Sequence, residues 1–262
     1  MPVFLTDTHA HLADPALLPD VSDVVATAAI EGVDHILAVG TDLPSSVQTV
    51  DLAERFPTVW AAVGIHPHEA SSCSGATLKE LRTLAVHPKV VAIGEIGLDY
   101  FRNLSPAPVQ QTAFAEQLAL AASLGLPAVV HNRDASADVL RFIGGVARDP
   151  DLAMRAGVLH CFSADVETAR EAIRLGFFIS FAGNLTYRRA DDLRAVAATV
   201  PGEWVLTETD SPYLAPVPLR GHVNQPANVR LVVERLADIR GIPVEVAAAE
   251  TSANARRLFR WP

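Results

Sequence analysis

Along the chain, short runs of β-branched and apolar residues alternate with longer stretches whose apolar positions recur at helical spacing. The short runs predict strands over Val3–Thr8, His35–Gly40, Val59–Ile65, Val90–Ile96, Ala128–His131, Gly157–His160, Phe177–Phe181 and Trp204–Thr209. Helices are predicted between them over Ser45–Arg55, Ala76–Ala85, Val109–Leu124, Ala135–Val146, Val166–Leu175 and Asp191–Ala197. Two more, near Ala227–Arg240 and Val244–Phe259, follow the last strand. Pro15, Pro44, Pro108 and Pro226 stand where helices should begin, the position at which a missing amide donor does least harm. Strand–helix alternation of this kind predicts a parallel sheet with helical crossovers. No Ser/Gly-rich linker divides it, so residues 1–262 are expected to form one domain.

Eight strands in this length suit a closed (β/α)8 TIM barrel better than an open doubly wound sheet. An open dinucleotide-binding sheet would carry a glycine-rich loop after its first strand, and here that position reads Thr8-His9-Ala10-His11-Leu12. The expected fold class is therefore α/β, a TIM barrel of the metal-dependent hydrolase type. Chemistry in such barrels gathers at the carboxyl ends of the strands.

Composition narrows the function classes. Half of the 262 residues are apolar and 19% are charged, which predicts a folded chain. A net charge of -9, from 21 Lys+Arg against 30 Asp+Glu, argues against a protein that coats nucleic acid or anionic membrane through a broad basic face. The amino-terminal residues show no basic stretch followed by an apolar signal core. The longest apolar run, around Leu118 to Val130, is broken by Ser123, Gly125 and Pro127 and is too short to span a bilayer. Two distant cysteines, Cys73 and Cys161, suit a reducing cytosol. A cytoplasmic monomer is the expectation.

Reactive side chains fall where a barrel would use them. His9 and His11 lie two apart at the end of the first strand, and alternation turns both inward. Glu95 closes the fourth strand, His131 the fifth, His160 the sixth and Asp210 the eighth, while His66 follows the third. Any one of these could cap a loop or pair with a neighbour. Together, imidazoles and carboxylates converging on one rim form a ligand set for divalent metals, and the lack of paired thiolates argues against a structural zinc site. The set is too large for one catalytic ion but suits two that share a carboxylate and a hydroxide nucleophile in phosphoryl transfer. Arg133, two residues beyond His131, and Arg220, in the loop after the eighth strand, could each fork onto a phosphate. Asp7 and Glu208 share the parity of His9 and Asp210 and read as inward-facing supports for the ligands. Asp99 reads as structural, as do His35, His87 and His222, which lie on the surface or in the framework. Cys161 reads as a small core residue facing away from the site.

These motifs, in this order, resemble the TatD family of metal-dependent deoxyribonucleases. The resemblance rests on Asp7-Thr8-His9-Ala10-His11-Leu12, Gly64-Ile65-His66-Pro67-His68, Gly94-Glu95-Ile96-Gly97-Leu98-Asp99-Tyr100, His131-Asn132-Arg133-Asp134-Ala135, His160-Cys161-Phe162-Ser163 and Thr209-Asp210-Ser211-Pro212-Tyr213-Leu214. It runs on through Gly183-Asn184-Leu185-Thr186 to Asn254-Ala255-Arg256-Arg257-Leu258-Phe259, covering essentially the whole chain. The resemblance implies two divalent ions, one held by His9, His11, Glu95 and Asp210 and the other by Glu95, His131 and His160. It also implies hydrolysis of DNA phosphodiesters, often as a 3′-to-5′ exonuclease with Mg2+ or Mn2+, Zn2+ being admitted by the same ligands. In that scheme Asp210 and Glu95 serve catalysis, His66 donates to a substrate oxygen and Arg133 and Arg220 position the phosphate.

One departure bears on substrate. The loop after strand eight reads Arg220-Gly221-His222-Val223-Asn224, where the family usually places further basic residues. The sixth-strand motif also has Ala164 where glycine is common. A hydrolase of a small amide, ester or lactone could use the same ions, and a metal-binding protein without turnover is the third reading. DNA engaged locally, at single-stranded or frayed ends, fits an acidic chain with one positive pocket.

Overall fold

In the computed structural model, which describes residues 4–146 and 155–261, eight parallel strands pair with their neighbours in chain order. They are β1 (Leu5–Ala10), β2 (Val33–Val39), β3 (Val59–Val63), β4 (Val90–Asp99), β5 (Ala128–Arg133), β6 (Gly157–Leu159), β7 (Phe177–Phe181) and β8 (Val205–Thr207). The sheet curls shut where Asp210 donates its amide to the His9 carbonyl at 2.9 Å and His11 donates to Ser211 at 2.7 Å. This is the expected TIM barrel. Val3, the expected start of the first strand, lies outside the described residues.

The crossovers are α1 (Val21–Ile30), α2 (Leu43–Arg55), α3 (Gly75–Ala85), α4 (Ala107–Leu124), α5 (Ser136–Val146), α6 (Val166–Arg174) and α7 (Asp191–Thr199), with α8 (Val229–Arg240) and α9 (Val244–Phe259) after the last strand. Helix α1 was not predicted. Its valines read as readily as strand, no side chain caps its start, and it is held by burying Val24, Val25 and Ala28. By contrast α2 is announced locally, since the Asp42 carboxylate accepts the Ser45 amide at 2.8 Å and Pro44 occupies its first turn.

Strand β4 runs three residues beyond its expected end at Ile96, because pairing with β5 continues through Gly97, Leu98 and Asp99 opposite His131, Asn132 and Arg133. Gly97 has φ +139, and a Cβ there would lie 2.1 Å from the His131 carbonyl oxygen. Only glycine permits that approach.

One apolar core lies between sheet and helices, around residues such as Ile36, Ile93 and Phe114. A second fills the barrel itself, where Leu37, Val129, Val158, Phe178 and Leu206 meet Leu258, Phe259 and Trp261 from the carboxyl end of the chain. The Trp261 ring stacks on Phe259 at 4.9 Å and on His35 at 5.0 Å, so His35 belongs to this plug. With the interior filled in this way, the carboxyl ends of the strands are left to form the site. Among the described residues no helix is long and apolar enough to cross a membrane.

Candidate metal centre

A cavity of about 700 Å3 opens at the carboxyl ends of the strands. His9 on β1 and His11 just beyond it bring their rings to Glu95 and Asp210, which line the cavity, but not by simple alternation. Pairing with β2 shifts register between Asp7 and Ala10, and Thr8 Oγ1 reaches Ser180 Oγ of β7 at 3.3 Å. The parity expected to carry Asp7 inward is broken by this bulge. Asp7 turns to the β8 end instead, accepting the amides of His9 and Thr209 and the Thr209 hydroxyl. Burial raises its carboxyl to about 8 against those three donors.

Two buried glutamines seven apart on one face of α4 hold the neighbouring loops. Gln117 accepts the Ile65 amide and donates to the Ile65 carbonyl, fixing the turn that presents His66. Gln110 accepts the Asp99 amide and donates to the carbonyls of Asp99 and Ser105 and to Asn103. On the far side Asn224 donates to the carbonyls of Thr209 and Tyr213 and so anchors the Asp210 turn, in which Asp210 has φ +55. The sequence signal for the two glutamine clamps is their place among the apolar residues of α4, whereas nothing local marks Asn224.

The donor atoms form two groups that share Glu95. In the first, the Nε2 atoms of His9 and His11 lie 3.2 Å apart, 3.5 and 3.6 Å from Glu95 Oε2, and 3.8 and 3.5 Å from Asp210 Oδ1. In the second, Glu95 Oε1 lies 2.8 Å from His131 Nδ1 and 2.7 Å from His160 Nε2, which are 3.4 Å apart. Ligands held about 2.0–2.2 Å from one ion stand roughly 3.0–3.6 Å from each other, so both groups fit a divalent cation after small adjustments.

The far nitrogens of the rings decide which near ones can bind metal. His11 Nδ1 faces the Val39 carbonyl at 3.2 Å, His160 Nδ1 faces Glu208 at 3.3 Å and His131 Nε2 faces Asp99 at 3.3 Å. Each is placed to donate, which leaves the opposite nitrogen with its lone pair in the cavity. His9 has no such partner for Nδ1 among the described residues, and its ring is stacked on His160 at 3.9 Å instead. His66 is wired the other way. Its Nδ1 accepts the His68 amide at 3.1 Å, so the neutral ring carries its hydrogen on Nε2, 3.3 Å from Glu95 Oε1. It is a donor in the cavity rather than a ligand.

The charges explain the arrangement. Burial would raise Glu95, yet the surrounding His160, His66 and His131 hold its carboxyl well below the usual range. The same burial would lower the imidazoles, and Glu95 with Glu208 lifts His160 well above its ordinary value, while Asp99 and Glu95 lift His131. The carboxylates thus demand positive charge, which imidazolium or a divalent cation can supply. His66 is the exception, lowered to about 4 mainly by burial, and stays neutral near pH 7.

The rim separates the two arginines. Arg133 lines the cavity, whereas Arg220 is exposed and stacked 3.8 Å over Tyr187, off the cavity wall. Arg102, His68 and Tyr213, none of which was given a role from sequence, also line it. Asp99, read as structural, binds His68 at 2.8 Å as well as His131 and so belongs to the site. Cys161 is a further correction. It follows β6 with φ +44, and that left-handed turn breaks strand alternation and brings the residue to the cavity wall instead of the core. His87 pairs with Glu54 and His222 is exposed, both outside the site as expected.

A barrel that gathers four imidazoles and two carboxylates at its carboxyl end has the build of a metal-dependent hydrolase. Residues 6–260 match the model of the TatD-related DNase family, and the chain belongs to that family. It is 43% identical over 260 residues to YcfH of Escherichia coli K12, described as an uncharacterized metal-dependent hydrolase, covering 98% of this chain and 96% of that one. It is 39% identical over 259 residues to the 3′-5′ ssDNA/RNA exonuclease TatD of Klebsiella pneumoniae, covering 97% of each. The crystal structure of YJJV, a TatD homologue of Escherichia coli K12, superposes with a TM-score of 0.93 at 31% identity over the whole of both chains.

Proposed function

We propose that this metal-dependent hydrolase is a deoxyribonuclease that removes nucleotides from single-stranded or frayed ends, in the 3′-to-5′ direction, with two divalent ions, Mg2+ or Mn2+. The observation that carries the reading is the division of Glu95 between two donor groups in a cavity that Arg133 also lines, its guanidinium without a hydrogen bond or ion pair among the described residues. His9, His11, Glu95 and Asp210 would hold one ion, and Glu95, His131 and His160 the other. When bound, such ions supply a nucleophilic oxygen at neutral pH and neutralise charge on the phosphate.

The chain's own groups do the rest. Arg133 meets the phosphate with a planar fork of donors and fixes its orientation. Asp210 is held ionised by His11, His9 and His160 against the effect of burial, so it can accept a proton from the attacking water. His66 donates a hydrogen bond through Nε2 to a phosphate or leaving oxygen; at about 4 its proton affinity is too low for it to be charged at neutral pH. Glu208 and Asp99 keep His160 and His131 in the tautomers that face the cavity. Arg220, stacked on Tyr187, would reach only a more distant phosphate.

The test is a substrate panel: end-labelled single-stranded DNA and RNA beside small esters, lactones and amides, each with Mg2+, Mn2+ or Zn2+ and with chelator. A ladder shortening from the 3′ end of DNA, abolished by chelator, is expected. Turnover confined to the small esters, lactones or amides would overturn the nuclease reading.

A further inference from the structure

An aromatic ring is held out into solvent beside an arginine that lines the cavity. Phe101 follows β4 directly and is 61% exposed. Pairing of β4 with β5 places it beside Arg133, whose backbone carbonyl accepts the Tyr100 amide at 2.9 Å. The Arg133 guanidinium lies 4.1 Å from the centre of the Phe101 ring and has no hydrogen bond or ion pair among the described residues.

The segment that carries Phe101 is pinned from both sides. Asp99 accepts the Arg102 amide at 2.7 Å, buried Gln110 ties Asp99, Asn103 and Ser105 together, and Tyr100 is bonded to Asp138 and Gln111. The ring is therefore presented by a fixed backbone rather than left over from a loose one. Arg102 and Arg133, on either side of it, both line the metal cavity. Across that cavity stands Tyr213, 54% exposed, with its hydroxyl bonded to Asp14 and its ring edge against His11 at 5.9 Å. Cations in a cavity with exposed aromatic rings in and beside it are what a single strand needs, because every base offers a face for stacking and every nucleotide a phosphate.

We propose that Phe101 is the base-stacking residue of this enzyme, taking the base of the terminal nucleotide while Arg133 holds the phosphate beside it. The inference rests on the nuclease reading and adds to it. A stacking contact recognises a base without reading its identity, so the enzyme should accept all four bases at the end of a strand and discriminate against an end with no base. Phe101 acts on binding, and the chemistry stays with the groups around Glu95.

The test uses the metal-loaded full chain and two single-stranded DNA oligonucleotides, one ordinary and one with abasic residues at its termini. Phe101 is exposed, so Phe101→Ala should fold with an unchanged melting temperature. In the wild type, KM for the abasic-ended strand should be about tenfold higher, within the range of a base–aromatic stack. Phe101→Ala should erase that difference by weakening the ordinary strand, Phe101→Trp should keep it, and Arg133→Ala should raise KM on both strands alike. A difference that persists undiminished in Phe101→Ala, or is absent from an active wild type, overturns the stacking role alone. A wild type that cleaves neither strand overturns the nuclease reading and the stacking role with it.

Discussion

Oδ2 of Asp99 lies 3.3 Å from Nε2 of His131, on the edge of the ring opposite the one that meets Glu95 at 2.8 Å. The carboxylate therefore chooses the tautomer of a cavity-facing imidazole from outside the donor group. Asp99→Asn keeps the shape but can offer an N–H where an acceptor is needed. Metal affinity at the His131 group should drop by about ten- to a hundredfold, with a much smaller effect on the His9–His11 group. Calorimetric titration with Mn2+ resolves the two; equal weakening of both would show that Asp99 acts on the loop rather than on the ring.

The shared carboxylate makes the two donor groups unequal in their sensitivity to mutation. Removing Glu95 by Glu95→Ala should lower bound metal at both groups, while His131→Ala should empty only its own. Metal analysis of the purified variants reads the stoichiometry directly, and both should lose divalent-dependent turnover. Full turnover by His131→Ala in the presence of chelator would refute the dinuclear scheme.

Proton and cation compete for the same nitrogens. His11, His131 and His160 are all raised above the ordinary imidazole value, so acidification below about pH 7 should weaken metal binding steeply, on the order of tenfold or more per pH unit. Stability of the chelator-treated protein should move the opposite way. A raised group stabilises the fold while protonated and loses that contribution as pH rises through its folded value. His160 well above its ordinary value and Asp7 at about 8 both have this sign. The melting temperature with chelator should therefore fall between pH 6.5 and 9, and saturating metal should reduce the fall. A flat or rising profile with chelator would contradict the assigned shifts.

Two glycines separate backbone strain from contact. Gly97→Ala combines φ +139 with a Cβ 2.1 Å from the His131 carbonyl oxygen, so it should cost on the order of 3 kcal/mol and displace His131. Gly125→Ala meets nothing within 4 Å at φ +64 and should cost only about 1 kcal/mol, leaving metal binding intact. Denaturant unfolding with and without Mn2+ measures both quantities in each variant.

The sequence by itself determined the order of the strands and of the helices after α1, the barrel class and the placing of His9, His11, Glu95, His131, His160 and Asp210 at strand ends, because strand length and position at a strand end are local properties. Those positions also carried the family resemblance. What it could not determine depends on residues far apart in the chain. Whether a ring nitrogen is a ligand or a donor is decided by a partner from another strand or loop, as Val39 decides for His11 and Asp99 for His131, while His66 is set by the neighbouring amide of His68. Left-handed turns at Cys161 and Asp210, and the bulge in β1, suspend alternation where the strands end, so parity placed Cys161 and Asp7 wrongly. Phe101 could be read as any apolar residue after a strand. Only the pairing of β4 with β5, clamped by Gln110, sets it against Arg133, which lines the cavity.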